Sequence, residues 1–362
     1  MRVGLEEPGG IDELKSARFE NLRWLVGDTP LVALHMRVRG RDITIYAKNE
    51  VSNFTGSIKD RMALHMLDEA YLEGRIQAGD NIAEATSGNT GISFAAIGRA
   101  LGHPVRIYMP DWMSKERVQL IQGFGAEVVP VSKAEGGFVG SIALADDWAA
   151  QTDNVFRPKQ FSSNANVAAH YHSTGPELMA QLGRLRRRPT AFVAGVGTGG
   201  TVMGVGLSLK ETFGDSVAIH PLEPANSPTL RTGEKTGSHR IQGISDEFVP
   251  EILKLDQLDS IVDVWDGDAI RMAQRMAGEL GLAVGISSGA NVIGALKLAL
   301  EQGPDAVVAT VLPDSNKKYL STDLCKEESM REDYLTGEVK LTGFDIVPRL
   351  GTGYQGLGRA LE

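Results

Sequence analysis

Short apolar runs, many of them rich in β-branched residues, recur along most of the chain. Longer stretches follow them, with apolar residues at helical spacing. The runs predict strands at 43–48, 81–85, 105–109, 127–131, 190–195, 217–223, 260–265 and 306–312. The stretches predict helices at 59–73, 90–102, 114–124, 138–152, 167–182, 200–213, 266–280 and 289–302. Strands that alternate with helices in this way indicate parallel sheets with helices on both faces.

The polar, turn-forming segment 151–166 interrupts this alternation, so we place the main domain boundary there. We predict an α/β protein with two open, twisted, mostly parallel sheets and a cleft between them. The predicted units are an N-terminal extension (1–18), a segment packing on the larger domain (19–50), a smaller domain (51–155), a larger domain (156–325) and a C-terminal extension (326–362). Whether that extension is ordered stays open at this stage.

Composition narrows the class of protein. With 362 residues, 42% of them hydrophobic and 23% charged, the chain is typical of a globular protein with a large core. Its net charge of -9 argues against a nucleic-acid partner. A single cysteine, Cys325, argues against internal disulfides and favours the cytoplasm. We also expect no membrane span, because no run of about 18 uncharged apolar residues occurs.

Ligands of open α/β sheets bind beyond the carboxyl ends of the strands, so the turns there are the first candidates. After the predicted strand 81–85, the chain reads Thr86, Ser87, Gly88, Asn89 and Thr90 just before a helix. A helix cap needs only one such residue. The backbone amides and hydroxyls of this turn therefore predict a binding site for a carboxylate.

A second turn, at 195–201, is rich in glycine and also precedes a helix. Gly195, Gly197 and Gly200 fit the GxGxxG pattern, and Glu223 follows near the distance of a ribose-binding acid, which indicates a dinucleotide site. The same turn also suits a single phosphate, held by the amides of Gly197, Thr198, Gly199, Gly200 and Thr201. The motif alone leaves both interpretations open, together with a purely structural turn.

The third turn reads NFTGSIKDR at 53–61 and contains Lys59. Most lysines are solvated surface residues. Here the positive end of the helix dipole disfavours a first-turn lysine, and the apolar neighbours Ile58 and Met62 indicate partial burial. Both effects would lower the pKa of the amine and make it a nucleophile. The local sequence leaves the surface and the nucleophilic interpretations open.

These motifs resemble those of the cysteine synthase and cystathionine β-synthase family of pyridoxal-phosphate enzymes, which have the tryptophan-synthase-β-like fold, fold type II. The resemblance covers about 300 residues. It includes VGDTPLV (26–32), NFTGSIKDR (53–61), TSGNTG (86–91), MPDWMSKERVQLIQGFGAEVV (109–129), KQF (159–161), GVGTGGT (195–201), EPANSPTL (223–230), HRIQGISDEF (239–248), GISSGAN (285–291) and KKYLSTDL (317–324).

The resemblance implies a role for each candidate residue toward pyridoxal 5'-phosphate and substrate. Lys59 would hold the cofactor as an internal aldimine and act as the base. Asn89 would contact the cofactor's 3'-oxygen, and Ser287 would face its ring nitrogen. The turn from Gly197 to Thr201 would bind its phosphate. The substrate carboxylate would be bound by Thr86, Ser87, Asn89, Thr90 and Gln160.

The implied reaction is β-replacement on a serine- or cysteine-type amino acid through an aminoacrylate, because a neutral serine at the ring nitrogen favours elimination over transamination. An alternative within the family consumes cysteine, releases hydrogen sulfide and forms serine, lanthionine, cystathionine or diaminopropionate. Two alternatives outside this chemistry are an NAD-binding protein and a catalytically silent binding partner. The family also implies a homodimer.

Some residues depart from the family pattern or suggest other chemistry. Phe54 stands where the family often has proline. Asp246 and Glu247 stand where ordinary cysteine synthases have small residues facing the substrate. Asp246 is either a solvated loop acid or a group that handles the incoming nucleophile, and we favour the second role. His170 and His172 form an HxH pair, but no third ligand is recognisable nearby, so we expect no metal.

Overall fold

The structure, a computed structural model, describes residues 11–244 and 247–354. Its helices are α1 (Ile11–Leu25), α2 (Lys59–Leu72), α3 (Asn89–Leu101), α4 (Lys115–Gly123), α5 (Gly137–Gln151), α6 (Asn164–Ala169), α7 (Gly175–Arg184), α8 (Gly200–Phe213), α9 (Thr229–Thr232), α10 (Asp266–Leu280) and α11 (Ile286–Gln302). Its strands are β1 (Leu31–Val38), β2 (Arg41–Asn49), β3 (Asn81–Ala85), β4 (Val105–Pro110), β5 (Glu127–Val131), β6 (Val155–Phe156), β7 (Ala191–Gly195), β8 (Ala218–Pro224), β9 (Val262–Val264), β10 (Val308–Leu312) and β11 (Val339–Val347).

Every predicted strand and helix overlaps an observed one, and differences lie mainly at the ends. The predicted helix at 167–182 is interrupted, because a π-helical turn at His170–Thr174 separates α6 from α7. The sequence patterns missed β1, β6 and β11. Of these, β11 has a weak signal because only one side of it packs against the protein and its middle is exposed.

Two sheets form, as predicted. The larger has seven strands in the order β11-β1-β2-β10-β7-β8-β9, and the smaller has four in the order β5-β4-β3-β6. The smaller sheet is entirely parallel. In the larger sheet the run from β2 to β9 is parallel, whereas β1 pairs antiparallel with both β2 and β11. The domain boundaries given above from the sequence stay a prediction.

The C-terminal extension is built into the larger sheet. Strand β11 pairs with β1 over residues 339–347. Beyond it, the amides of Leu350, Gly351 and Thr352 donate to the carboxylate of Asp28 at 2.6, 2.8 and 3.2 Å. Tyr354 is 1% exposed, and its hydroxyl lies 2.7 Å from His65 Nδ1. The described part of this segment is therefore integral to the fold.

Apolar clusters cover both faces of the larger sheet, one mainly with α10 and α11, the other with α7 and α8. A third cluster packs α2 and α3 against the smaller sheet. Within the described residues, no helix has the length and apolar character needed to cross a membrane. The carboxyl ends of β3, β7 and β10 border one cavity, which positions the candidate turns.

Candidate active site

The three turns converge on one cavity of about 700 Å³, its open mouth included. Its lining includes these predicted residues: Lys59, Thr86, Ser87, Asn89, Thr90, Gln160, Gly197, Thr198, Thr201 and Ser287. They lie far apart in sequence, and only the fold brings them together.

Lys59 is the first residue of α2 and is half-buried. Its neighbours Ile58 and Met62 are 4% and 0% exposed, as their apolar character suggested. The amide of Ile58 donates to the carbonyl of Pro313 at 2.8 Å, just past the end of β10. The lysine turn of α2 is thus tied directly to the larger sheet.

The predicted carboxylate site lies between β3 and α3. The amide of Gly88 donates to Thr86 Oγ1 at 3.0 Å. Thr90 Oγ1 donates to Gln160 Oε1 at 2.6 Å, and Gln160 Nε2 donates to the carbonyl of Ala85 at 2.8 Å. These bonds hold Gln160 beside the turn. Gln160 follows β6, far along the chain, so no sequence spacing indicates this position.

The glycine turn has no space for a side chain at Gly197 or Gly200. A Cβ on Gly197 would lie 2.5 Å from the carbonyl oxygen of Gly243, and one on Gly200 would lie 2.1 Å from Asn166 Oδ1. Gly199 has φ +89°, which favours glycine. Helix α8 begins at Gly200, and Asn166 Nδ2 donates to Thr198 Oγ1 at 2.9 Å. This turn fits a phosphate at a helix start.

A buried acid that the sequence did not single out, Asp314, holds Asn89. Asn89 Nδ2 donates to Asp314 Oδ2 at 2.6 Å, and the hydroxyl of Tyr319 donates to the same oxygen. A carboxylate in this position only accepts, so it fixes which end of the Asn89 amide faces it. Nothing in the spacing marks Asp314, because its partner Asn89 is more than two hundred residues away.

Arg117 is a second lining residue that the sequence did not single out. It is 2% exposed, its guanidinium lies 4.7 Å from the centre of the Tyr319 ring, and Nη1 donates to the carbonyl of Ser87 at 2.8 Å. This contact braces the turn that precedes α3. The motif ERV at 116–118 gave no hint of a position in the cavity.

These residues fit pyridoxal phosphate. The cavity offers a half-buried lysine, a glycine turn that would receive a phosphate, and an asparagine oriented by a carboxylate. Asn89 Oδ1 is buried and makes no hydrogen bond to a described residue, and Ser287 is 4% exposed at the start of α11. Both polar groups therefore remain for a ligand in the cavity.

Behind the lysine turn lies a buried group of paired charges. Arg61, two residues after Lys59, donates from Nε to Glu50 Oε2 at 2.6 Å and from Nη1 to Glu177 Oε1 at 2.7 Å. Lys48 Nζ donates to Glu177 Oε2 at 2.7 Å. Although burial opposes it, the charges of Arg61 and Lys48 hold the pKa of Glu177 far below its usual range. These pairs fasten α2 to β2 and α7.

The other polar candidates have structural partners. His170 is fully buried, with Nδ1 at 2.9 Å from Thr174 Oγ1 and Nε2 at 3.3 Å from Thr201 Oγ1. Burial, with the charge of Lys59, lowers the pKa of His170 well below its usual value. Glu223, the ribose-binding candidate, is 0% exposed and accepts from the amide of Leu230 at 2.7 Å. Among residues 11–244 and 247–354, no three potential metal ligands cluster.

Asp246 lies outside the described residues. Its neighbour Glu247 lies at the edge of the gap, and Glu247 Oε1 is 3.4 Å from Lys235 Nζ in a half-exposed ion pair. On the other side of the gap, Gln242, Gly243 and Ile244 line the cavity. The described residues just before the gap therefore border the site.

Residues 23–314 match the family of pyridoxal-phosphate dependent enzymes, so the chain belongs to that family. It is 43% identical over 300 residues to a probable cysteine synthase of Bacillus subtilis, covering 83% of this chain and 96% of the relative. Among solved structures, it is 52% identical to a hydrogen sulfide-producing enzyme of Fusobacterium nucleatum, with a TM-score of 0.89 and coverage of 92% and 99%. A solved structure of a variant of that enzyme, in complex with an α-aminoacrylate intermediate, is 53% identical and has a TM-score of 0.88. That match covers 90% of this chain and 97% of the other.

The family and these likenesses confirm the fold type II α/β architecture, the pyridoxal-phosphate cofactor and β-replacement chemistry through an aminoacrylate. The dinucleotide interpretation of the glycine turn is wrong, and so is a non-catalytic role for the chain. The glycine pattern alone had left the two interpretations open, because amides at a helix start suit either kind of phosphate.

Proposed function

We propose that this enzyme consumes cysteine, releases hydrogen sulfide and attaches another nucleophile to the β-carbon. The observation that carries this choice is the greater likeness to a hydrogen sulfide-producing enzyme, 52% identical, than to cysteine synthases at 41–43%. Asp246, two residues after the cavity-lining Ile244, supports it, because an acid near the β-carbon would repel incoming hydrosulfide.

In this proposal each predicted residue has one task. Thr86, Ser87, Asn89, Thr90 and Gln160 bind the substrate carboxylate. The turn from Gly197 to Thr201, which includes Thr198, Gly199 and Gly200, binds the cofactor phosphate, Asn89 contacts the 3'-oxygen, and Ser287 faces the ring nitrogen. Pyridoxal phosphate, when bound, supplies an electron sink for the negative charge left at the substrate's Cα.

Proton transfer falls to two side chains. Lys59 removes the proton from Cα, the bond from Cβ to sulfur breaks, and sulfur leaves as hydrosulfide. Asp246 takes the proton of the incoming nucleophile, which forms the new bond to Cβ, and Lys59 then returns a proton to Cα. This division of tasks is supported by the position of Lys59 at the cavity and by the short sequence distance from Asp246 to the cavity-lining residue Ile244.

The choice of substrate is tested with the holoenzyme. Cysteine alone, or with a second thiol or amine, should release sulfide, measured by methylene blue formation. Faster cysteine formation from O-acetylserine and sulfide than sulfide release from cysteine would favour the second candidate, a cysteine synthase. That candidate is supported by the 43% identity to the Bacillus subtilis relative.

The role of Asp246 has a matched control next to it. Asp246→Asn should slow addition of the nucleophile at least about tenfold. The rate of Cα proton removal, measured by exchange of that proton for deuterium, should be unchanged. Glu247→Gln should change neither step, because Glu247 is paired with Lys235. Equal rates in both variants with every nucleophile would refute the role of Asp246.

We also propose that the enzyme is a cytoplasmic homodimer. The dimer follows from the family resemblance, and the cytoplasm from the single cysteine, Cys325, which is exposed and unpaired among the described residues. Light scattering of the purified holoenzyme would give the mass in solution, and a monomer would contradict the first point.

A further inference from the structure

The C-terminal extension contacts the loop that lines the cavity. The family match ends at residue 314, and Asp323 and Glu328 lie beyond it. Both acids lie beside Arg240, which precedes the cavity-lining residues Gln242, Gly243 and Ile244 by only a few positions. A segment outside the matched core thus contacts the edge of the site.

Arg240 is held from two sides. From the C-terminal extension, the carboxylate of Glu328 accepts from Arg240 Nη1 at 2.5 Å and from Nη2 at 3.1 Å. From the start of α10, Asp266 accepts from Arg240 Nε and Nη2, both at 3.0 Å, and from its backbone amide at 3.1 Å. Paired bonds of this kind fix a planar guanidinium in direction as well as position.

Glu328 is itself firmly placed. Its side chain is 12% exposed, and its carbonyl accepts from Arg271 Nη1 at 2.5 Å. Arg271 belongs to α10, the helix that also provides Asp266. The backbone of the extension at Glu328 is therefore tied to α10, which places the Glu328 side chain beside Arg240.

The loop that begins at Arg240 contacts the cofactor-binding turn. A Cβ atom on Gly197 would lie 2.5 Å from the carbonyl oxygen of Gly243, and one on Gly195 would lie 2.7 Å from the side chain of Ile244. An antiparallel bridge joins Glu234, before Arg240, to Phe248, after the gap. A shift at Arg240 would therefore move backbone that lines the cavity.

We propose that Glu328 is a positioning residue: through Arg240 it sets the loop that lines the cavity on the side where the second reactant enters. In its kinetic consequence this inference rests on the proposed function, because the loop also carries Asp246. Glu328 makes no contact with the cavity, so its effect reaches the site through Arg240 and the loop.

The chain provides a matched control for this pair. Glu338, in the same extension, accepts from Arg39 Nε at 2.5 Å and Nη2 at 2.7 Å, at the far edge of the larger sheet. Glu328→Gln and Glu338→Gln each remove one charge from an Arg–Glu pair of the extension. Only the first pair leads to the cavity.

Hydrogen exchange of the holoenzyme, followed by mass spectrometry, tests the placement of the loop without reference to turnover. Glu328→Gln should raise exchange of the peptide spanning 239–248 at least about fivefold, and Glu338→Gln should leave it unchanged. Arg240→Lys, which keeps the charge but loses the paired geometry, should give an intermediate increase. Unchanged exchange in Glu328→Gln, or an equal rise along the whole chain, would overturn the inference.

Kinetics then tests the consequence. In Glu328→Gln, kcat/KM for the second reactant should fall about tenfold, whereas the visible absorbance of the bound cofactor and the rate of Cα proton removal stay within twofold of wild type. Loss of both steps together would overturn the role. A wild-type enzyme that performs no β-replacement would refute the proposed function alone, since the exchange result still decides how Glu328 acts on the loop.

Discussion

At the scale of single residues, Lys59 and Asn89 show what neighbours add to a motif. Sequence left Lys59 between a surface amine and a nucleophile, and the structure places it half-buried in a cavity with the other candidates. Asn89 belongs to a recognisable motif, but the carboxylate of Asp314 that orients its amide does not.

Removing the lysine tests its role directly. Lys59→Ala should abolish the visible absorbance of the purified holoenzyme and lower turnover by about 10³-fold or more, because both the covalent anchor and the base are lost. Absorbance spectra and steady-state rates measure this. Lys115→Ala, on an exposed turn of α4, serves as the control and should retain both. A visible band that survives in Lys59→Ala would contradict the assignment.

The orienting role of Asp314 predicts a coupled effect. Asp314→Asn removes the charge that fixes the Asn89 amide and should weaken cofactor binding by about 1.5 kcal/mol, roughly tenfold in Kd. Fluorescence titration of the apoenzyme with pyridoxal phosphate measures the change. Asn89→Ala should weaken binding as well, and the double variant should lose less than the sum of the two. Full additivity would show that the two residues act separately.

At the scale of elements, the buried charges around Arg61 fix where α2 begins. Arg61, Glu50 and Lys48 are 0% exposed, and the helix whose first residue is Lys59 is fastened through them to β2 and α7. Sequence reasoning predicted α2 correctly. It could not find this network, because its members come from separate elements and each looks like an ordinary surface charge.

Breaking this network should be costly. Arg61→Met leaves the buried carboxylate of Glu50 without a cationic partner and leaves Glu177 paired with Lys48 alone. It should lower the free energy of unfolding by about 3–5 kcal/mol. Urea unfolding of the apoenzyme measures the loss. Arg37→Met breaks the pair with Asp42, whose side chain is 73% exposed, and should leave the free energy of unfolding nearly unchanged. Similar losses in the two variants would mean that the buried pairs do not stabilise α2.

At the scale of the whole molecule, the C-terminal extension joins distant parts of the chain. It adds β11 to the sheet edge, and its amides bind Asp28 beside the buried charges. Tyr354, near the end of the described chain, contacts His65 of α2. Sequence left the order of this segment open, because a charged and glycine-rich stretch shows no period of its own.

The burial of His65 beneath the C-terminal extension, beside Tyr354, predicts a pH dependence of stability. Burial, with a smaller contribution from His172, lowers the pKa of His65 from 6.5 to about 4. In the unfolded chain His65 binds its proton at a higher pH than in the folded protein. The contribution of neutral His65 to the free energy of unfolding is therefore complete above pH 6.5 and is lost as the pH falls toward 4. At about 1.4 kcal/mol per pH unit, the loss is on the order of 3 kcal/mol.

Unfolding free energies at several pH values between 7 and 4 test this. The wild type should lose stability more steeply than His65→Gln, which has no ring to protonate. His170, whose pKa is also lowered, is present in both proteins, so its effect on the pH dependence cancels when the two curves are compared. Glu69, 3.9 Å from His65 Nε2, is present in both proteins. Parallel curves would contradict a buried, neutral His65.

The sequence by itself determined the alternation of strands and helices, the parallel sheets and the turns at which chemistry occurs, because hydrophobic periodicity and turn chemistry are local. With the family motifs it also predicted the cofactor. The tertiary structure decided which buried side chains orient those turns, how α2 is anchored and that the C-terminal extension reaches the cavity loop. Those features depend on contacts between residues far apart in sequence, which no local pattern records.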